Sequence, residues 1–104
     1  MAKVKTKKLT WTDSTAQDVV GYNVYWNREA DGNPDYTDTP VSVTGTGVFI
    51  PDDIPSFPLE DISFIFGVSA IDDAGNESDI ALTGAVPLDF IAPDAPTNVS
   101  VVNG

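Results

Sequence analysis

The pattern that most constrains the fold is a run in which every second side chain is apolar. The residues that share its apolar face are Ile62, Phe64, Phe66, Val68 and Ala70, and those between them are Ser63, Ile65, Gly67, Ser69 and Ile71. Successive side chains of a strand point to opposite sides, so this alternation is typical of a strand. No segment repeats its apolar residues at the helical period of about 3.6. The run therefore predicts a central strand of an all-β domain.

Four further segments have the alternation or the composition of strands. They are residues 9–12, 21–26, 41–50, which predicts one or two short strands, and 80–86. Residues 51–58 contain three prolines, which exclude a central strand and predict a crossover between sheets. Clusters of Gly, Asn, Asp and Pro separate the segments. Seven short strands at a spacing of roughly ten residues predict a two-sheet antiparallel β-sandwich.

Three segments carry a resemblance to a known family. Residues 68–78 read V-S-A-I-D-D-A-G-N-E-S, which resembles the F strand and F–G turn of bacterial fibronectin type III domains. Residues 9–12 resemble strand B of that family, whose core tryptophan matches Trp11, and residues 21–26 resemble strand C. The resemblance implies a fibronectin type III or immunoglobulin-like sandwich. The family's tyrosine at the start of strand F is Phe64 here, so the hydrogen bond of its hydroxyl is lost or replaced.

The two ends of the chain depart from the strand order of the family. Lysines occupy the positions that share the parity of Leu9 and Trp11, so the segment before the B-like strand has no apolar face for a strand A. An A-like strand instead stands near the C-terminus, with Val99 and Val101 on one face. The predicted organisation is a basic N-terminal arm (1–8), a fibronectin type III-like sandwich with strands B to G (9–90), and a Pro-rich linker plus A-like strand (91–104).

The C-terminal segment has three interpretations at this point. It is the start of a neighbouring domain in a tandem array, or it folds back on its own domain, or it enters another copy. In the last case Val99 and Val101 are the donated anchors, and Leu9 and Trp11 line the receiving core.

Strand G leaves at the pole opposite to the one where strand A normally enters. A tail that folds back would therefore run parallel to strand B, whereas a tail donated to the next copy would run antiparallel to it. The latter is β-strand addition between subunits, a known mode of assembly. Such a head-to-tail contact does not close and builds a fibre or an array.

The charge is unevenly distributed along the chain. The formal net charge is −11, and four of the five positive charges are Lys3, Lys5, Lys7 and Lys8. One interpretation of this arm is a frayed terminus that only increases solubility. The alternative is an arm that lies on an acidic surface of the same chain or of a neighbouring molecule. The acidic balance argues against nucleic acid as a partner. No run of about 18 apolar residues is present, so membrane insertion is not expected. The basic N-terminus is not followed by an apolar stretch, so it is not a secretory signal.

An enzymatic function has little support in the residue types. The chain contains no histidine and no cysteine, which removes the commonest general base and the thiol nucleophile. The acidic pairs Asp52–Asp53 and Asp72–Asp73 consist of adjacent residues on turns. Neighbours in an extended segment point to opposite sides, so these pairs are poorly placed for joint acid–base chemistry. The chain is therefore predicted not to be an enzyme.

Two binding functions remain as alternatives, and no cofactor is expected unless calcium binds. Oxygen ligands that suit calcium gather around the Gly turn, namely Asp72, Asp73, Asn76, Glu77 and Asp79. In the family the same residue types form a turn, because the side chains of Asn and Asp make hydrogen bonds with their own backbone. Exposed aromatic side chains bind carbohydrate in other modules, and the candidates here are Tyr25 and Tyr36; Trp11, Tyr22, Phe64 and Phe66 are expected in the core.

The sequence thus favours a non-catalytic structural or interaction module. The expected function is a self-assembling subunit of an extracellular filament, pilus or virion, joined by addition of the C-terminal strand. Its partners are then copies of itself or a neighbouring domain, and its setting is extracellular, on the cell surface or on a virion. The alternative is a spacer or accessory domain of a longer secreted bacterial protein, associated with glycans in one version.

Overall fold

The computed structural model describes residues 5–103, which form an all-β domain with one short 3-10 turn at Glu29–Asp31. The strands are β1 (Lys7–Thr10), β2 (Val19–Arg28), β3 (Val41–Val43), β4 (Gly47–Ile50), β5 (Ser63–Asp72) and β6 (Ala81–Pro87). Within this range no helix has the length and apolar character needed to cross a bilayer. The all-β class is confirmed. The predicted seven strands are too many for the described residues, because the C-terminal valine segment forms no strand there.

The strands form two antiparallel sheets of unequal size that pack as a β-sandwich. One sheet contains only β1 and β4, and the other has the order β3-β2-β5-β6. In the small sheet Leu9 lies opposite Val48, and in the large sheet Val24 lies opposite Val68. Both registers place apolar side chains together on the face that is turned toward the other sheet, which is how a sandwich core is built.

The core is an aromatic cluster that draws on loops as well as on strands. Phe64 and Phe66 of β5 are 0% and 2% exposed. Phe57, from the predicted crossover at 51–58, lies between them and Trp26, with ring centroids 4.8 Å from Trp26 and 4.8 Å from Phe64. The remaining members of the buried cluster are Ile50, Ile54, Leu88 and Phe90. The Phe64 side chain is thus held by packing against other aromatic rings.

Strand β5 is buried on both of its faces, which the alternation pattern alone does not predict. Ile65 and Ser69 belong to the face away from the core, yet they are 7% and 1% exposed. Gly67 lies on the same face, and a Cβ atom there would meet Leu82 Cδ2 at 3.1 Å. Side chains from β6 and from the turn that precedes it therefore cover this outer face. The absence of a side chain at Gly67 makes room for that cover.

The strand directions place the exit of the chain beside its entry. Strand β6 is antiparallel to β5, β5 to β2, and β1 to β4. The Lys7 ammonium at the start of β1 donates a hydrogen bond to the main-chain oxygen of Asp89, just after β6, at 3.0 Å. The chain therefore leaves the sandwich at the pole where β1 begins.

Candidate functional site: the open edge of the two-stranded sheet

Strand β1 has a hydrogen-bonded neighbour on one side only, within the residues that the structure describes. Its partner is β4, and the ladder continues one residue further, where the Trp11 amide donates to the Thr46 carbonyl at 3.1 Å. Hydrogen-bonded and non-bonded positions alternate along an antiparallel ladder. The main-chain groups of Lys8 and Thr10 consequently face the other, open edge. An unpaired edge of this kind is a template for another strand.

A groove lies between the two sheets just beyond the last residue of β1. The inward side chains of β1 and of the facing part of β5, Leu9, Trp11, Val68 and Ala70, are only partly buried. Phe64 and Phe66 of the same strand, by contrast, are almost fully buried. A cavity of about 190 Å³ opens here, and its apolar lining includes Trp11, Val68 and Ala81. The predicted receiving residues therefore lie at an incompletely covered part of the core.

Trp11 borders this groove just after the end of β1, and its ring packs against the ring of Tyr22. The two rings meet edge to face with centroids 5.5 Å apart. The Tyr22 hydroxyl donates to the Asp13 carboxylate at 2.7 Å and accepts from the Ser14 amide at 2.9 Å. The indole Nε1 of Trp11 is buried and has no hydrogen-bond partner among the described residues. A buried donor without a partner costs roughly 1–3 kcal/mol.

The C-terminal segment lies in the open, away from this groove. Every residue from 93 to 103 is exposed, and Val99 and Val101 are 84% and 98% exposed. The described chain measures 71 Å along its longest axis and 27 and 20 Å across, which accords with a tail that extends from the sandwich. The structure therefore does not bring the predicted donated residues to their own receiving core, and the fold-back interpretation is not observed in the single chain.

The basic arm contacts aromatic rings and main-chain oxygens. Lys7 Nζ lies 4.9 Å from the centroid of the Phe90 ring and also donates to the Lys5 carbonyl at 2.8 Å. Lys8 Nζ lies 5.1 Å from the Phe49 ring. The ion pair found within residues 5–103 joins Arg28 to Glu60 at 2.7 Å and is partly exposed. Lys3 falls outside the described residues.

The five oxygen-bearing residues proposed for calcium are not gathered around a common point. The Asp72 carboxylate accepts hydrogen bonds from the amides of Ala74 and Asn76 at 3.0 and 2.8 Å, and these bonds lower its pKa below the ordinary value. The carboxylate of Glu77 turns toward the sheet, and Asp73 and Asp79 are exposed. Residues 5–103 contain no group of three or more acidic side chains with the geometry to hold a metal ion.

Glu77 closes a polar network on the outer face of the large sheet. Its carboxylate accepts hydrogen bonds from the hydroxyls of Tyr25 and Ser69 and, at 3.3 Å, from the Asn23 amide. Burial by itself would raise the pKa of Glu77, but the three donors outweigh it and hold the pKa below the ordinary value of 4.5. Burial, reinforced by the bond to Glu77, raises the pKa of Tyr25 to about 12. The network clamps the 73–78 turn onto β2 and β5.

Replacing Glu77 by glutamine should destabilise the fold by roughly 1–3 kcal/mol at pH 7, because bonds to a charged acceptor are lost or weakened. The folded pKa of Glu77 lies below 4.5, so its contribution is fully present above that pH and is lost as the pH falls through the lowered value. The difference between the unmodified chain and Glu77→Gln, measured by urea unfolding at several pH values, should therefore shrink in acid. Asp73→Asn, an exposed acid on the same turn, is the matched control. A difference that stays constant down to pH 3 would contradict this role.

The two tyrosines proposed to bind carbohydrate differ in how far their side chains are exposed. Tyr25 is 2% exposed, so its prediction as an exposed aromatic is wrong. Its ring is covered because Glu77 folds over the sheet and Tyr36 packs against it edge-on, with centroids 6.2 Å apart. Tyr36 remains 54% exposed, and its hydroxyl donates to the Ser78 carbonyl at 2.6 Å. A single exposed ring whose hydroxyl is already bonded makes a weak platform.

The acidic pair at 52–53 also serves local structure. The Asp53 carboxylate accepts from the Phe49 amide at 2.7 Å, and its own amide donates to the Phe49 carbonyl at 2.9 Å. Asp52 accepts from the Thr6 hydroxyl at 3.4 Å. These bonds fix the turn after β4 and leave the two carboxylates with separate partners.

A larger cavity lies on the outer face of the large sheet. It is an open groove of about 770 Å³ whose lining includes Asn23, Ser42 and Glu77. Its polar side chains already bond to one another, since the Ser42 hydroxyl donates to Asn23 at 2.6 Å. Sequence patterns did not reveal this groove. The one available signal was the polar character of Asn23 and Ser42, which lie opposite each other on the paired strands β2 and β3.

Comparisons of the chain with protein-family models, with curated proteins and with solved structures find no match.

Proposed function

We propose that this chain is a non-catalytic structural subunit, a fibronectin type III-like sandwich that assembles head to tail. Residues 97–103 of one copy add as a strand beside β1 of the next copy. The observation that carries the proposal is a mismatch within one molecule. Strand β1 has an open edge and leads into an open groove at its end, while Val99 and Val101 are almost fully exposed.

The directions of the strands support the head-to-tail arrangement. The chain leaves the sandwich at the pole where β1 begins, as the Lys7–Asp89 contact shows. A tail that continues away from this pole reaches the opposite pole of a copy placed in the same orientation. It then runs along that copy's β1 in the antiparallel sense, which gives the perpendicular ladder bonds of an antiparallel pair. A tail that turned back on its own β1 would run parallel to it.

The energetics favour transfer of the tail into a groove. Fully burying one valine side chain contributes about 1.5–3 kcal/mol, and Val99 and Val101 share one face of an extended segment. New main-chain hydrogen bonds to Lys8 and Thr10 add affinity, as in other cases of strand addition. The contact joins different surfaces on the two copies, so it does not close on itself and produces a filament or an array. An assembly of this type suits an extracellular, cell-surface or virion setting.

The distribution of charge is also complementary along such an assembly. The positive side chains described at the receiving edge are Lys5, Lys7 and Lys8. Residues 9–104 carry one arginine against 16 acidic residues. Stacking copies in one orientation brings the basic pole of each molecule toward the acidic body of its neighbour, which favours this orientation over random contacts.

Disulfide cross-linking between introduced cysteines tests the proposal directly, because the chain contains no cysteine of its own. Ser100 and Thr10 have side chains on the solvent side of their segments, so the double variant Ser100→Cys, Thr10→Cys would carry one thiol on the tail and one on the receiving edge. A disulfide needs Cα atoms within roughly 4.4–6.8 Å. A second variant with Lys8→Cys in place of Thr10→Cys covers a register shifted by two residues.

Under mild oxidation the head-to-tail arrangement yields a ladder of covalent multimers on a denaturing gel. A tail that folds back gives an internally cross-linked monomer instead. The matched control pairs Ser100→Cys with Ser42→Cys, which lies on the edge strand β3 of the other sheet and should give no ladder. Ladders of equal intensity from both edges would contradict specific addition at β1.

The second candidate is a spacer or accessory domain of a longer secreted protein. One observation favours it: two of the four residues of β1 are lysines, and lysine on an edge strand is a common device against edge-to-edge association. In that case the sandwich remains monomeric and the cysteine pairs give no ladder.

A further inference from the structure

The unpaired indole of Trp11 points to a specific contact in the proposed assembly. Its Nε1 atom is buried and has no partner among the described residues, and other atoms of Trp11 line the groove. Polar groups line the same cavity, including Ser14 and Asp79, but none of them bonds to the indole. Tryptophan N–H groups usually find an acceptor when they are buried. The single chain therefore leaves one donor without an acceptor, and an added segment can supply that acceptor once the indole turns toward the groove.

The geometry of addition identifies which part of the tail reaches this donor. Trp11 follows the last residue of β1, at the pole opposite to Lys7. An antiparallel tail enters at that pole, so its earlier residues meet Trp11 and its later residues meet Leu9 and the lysines. The earlier residues are 93–98, which include Pro93 and Pro96. Proline has no N–H and the segment forms no ladder, so its carbonyl oxygens are free to accept.

We propose, on the basis of the proposed function, that Trp11 sets the register of the joint. Its indole N–H donates to a main-chain carbonyl oxygen within residues 93–98 of the copy that donates the tail. A one-residue slip of the tail would turn Val99 and Val101 to the solvent side and would also carry the carbonyl away from the indole. The hydrogen bond and the valine anchors thus select the same register. The partner is a second copy of this chain.

The first test compares association and stability in the full chain. Trp11→Phe keeps an aromatic ring and removes the donor, and Trp26→Phe is the matched control, since Trp26 lies on the large sheet. Trp11→Phe should weaken self-association about tenfold or more, which corresponds to roughly 1.4 kcal/mol. In a Val101→Asp background, which is expected to remain monomeric, the same change should move the melting temperature no more than Trp26→Phe does. A purely structural role would lower the monomer's melting temperature along with its association.

The second test follows the indole protons themselves. The chain has two tryptophans, so each indole N–H is assigned by comparison with the corresponding phenylalanine variant. Hydrogen exchange of the Trp11 N–H should slow at least tenfold when the full chain assembles, while that of Trp26 changes little. If the chain assembles and the Trp11 proton exchanges as fast as in the monomer, the register contact is absent although the assembly is real. If the full chain never assembles, the proposed function fails, and the contact fails with it.

Discussion

Val101→Asp should abolish self-association of the full chain, whereas Val102→Asp should leave it close to that of the unmodified chain. Val101 shares its face with Val99 and enters the groove in the proposed assembly, while the neighbouring Val102 faces the solvent side of the added strand. Losing a buried valine costs about 1.5–3 kcal/mol, and placing a carboxylate in an apolar groove costs more. The dissociation constant should therefore rise more than about 100-fold, which sedimentation velocity over a range of concentrations would measure.

The two aspartate variants carry the same added charge on adjacent residues, so electrostatic repulsion cannot explain a difference between them. Both valines are exposed in the single chain, at 98% and 81%, and the melting temperature of the monomer should be unchanged in both variants. Equal loss of association in the two variants would mean that the tail acts through its charge or through non-specific hydrophobic contacts. The idea of a strand with one inserted face would then be abandoned.

Phe57→Ala should produce the largest loss of fold stability, about 3–5 kcal/mol. Phe57 is 7% exposed and contacts four other aromatic residues. The ring-centroid distances are 4.8 Å to Trp26 and to Phe64, and 5.9 Å to Phe66 and to Phe90. Removing this ring leaves a cavity between the sheets that the surrounding strands cannot close. Urea unfolding followed by tryptophan fluorescence would measure the effect, because Trp26 reports on the same cluster.

Phe49→Ala is the matched control for the core prediction. Phe49 is 46% exposed on β4 and contacts Lys8, so its loss should cost less than about 1 kcal/mol. If Phe49→Ala were as destabilising as Phe57→Ala, the core would extend to the outer face of the small sheet. If Phe57→Ala were mild, the crossover at 51–58 would be a surface loop, contrary to its packing here.

The elements that sequence predicted well are those whose signal is local. The alternation at 62–71 and at 21–26 corresponds to β5 and β2, and the prolines of 51–58 mark a crossover outside the strands. The turn around Gly75 follows from its residue types, since Gly75 has a φ of 86° that other residues rarely adopt. These features depend on near neighbours in the chain, so a single sequence contains them.

The features that sequence missed depend on contacts between distant residues. Tyr25 has the parity of an exposed side chain, and it is buried because Glu77, 52 residues further along, folds over it. Phe57, Leu88 and Phe90 lie outside the strands, so no periodicity marks them as core. The open edge of β1 follows from the pairing of whole strands, and the unpaired Nε1 of Trp11 follows from the groove beside that edge. A sequence pattern names Trp11 as a core residue but does not show its missing acceptor.

The most direct test of the central claim is the solution mass of the full chain and of a chain that ends at Pro93, measured by light scattering over a range of concentrations. The proposal predicts multimers for the full chain that grow with concentration, and a mass near that of one monomer for the shortened chain. One copy of this chain has a mass of 11.0 kDa. Two well-folded monomers of equal thermal stability at every concentration would contradict the proposal and would support the spacer function.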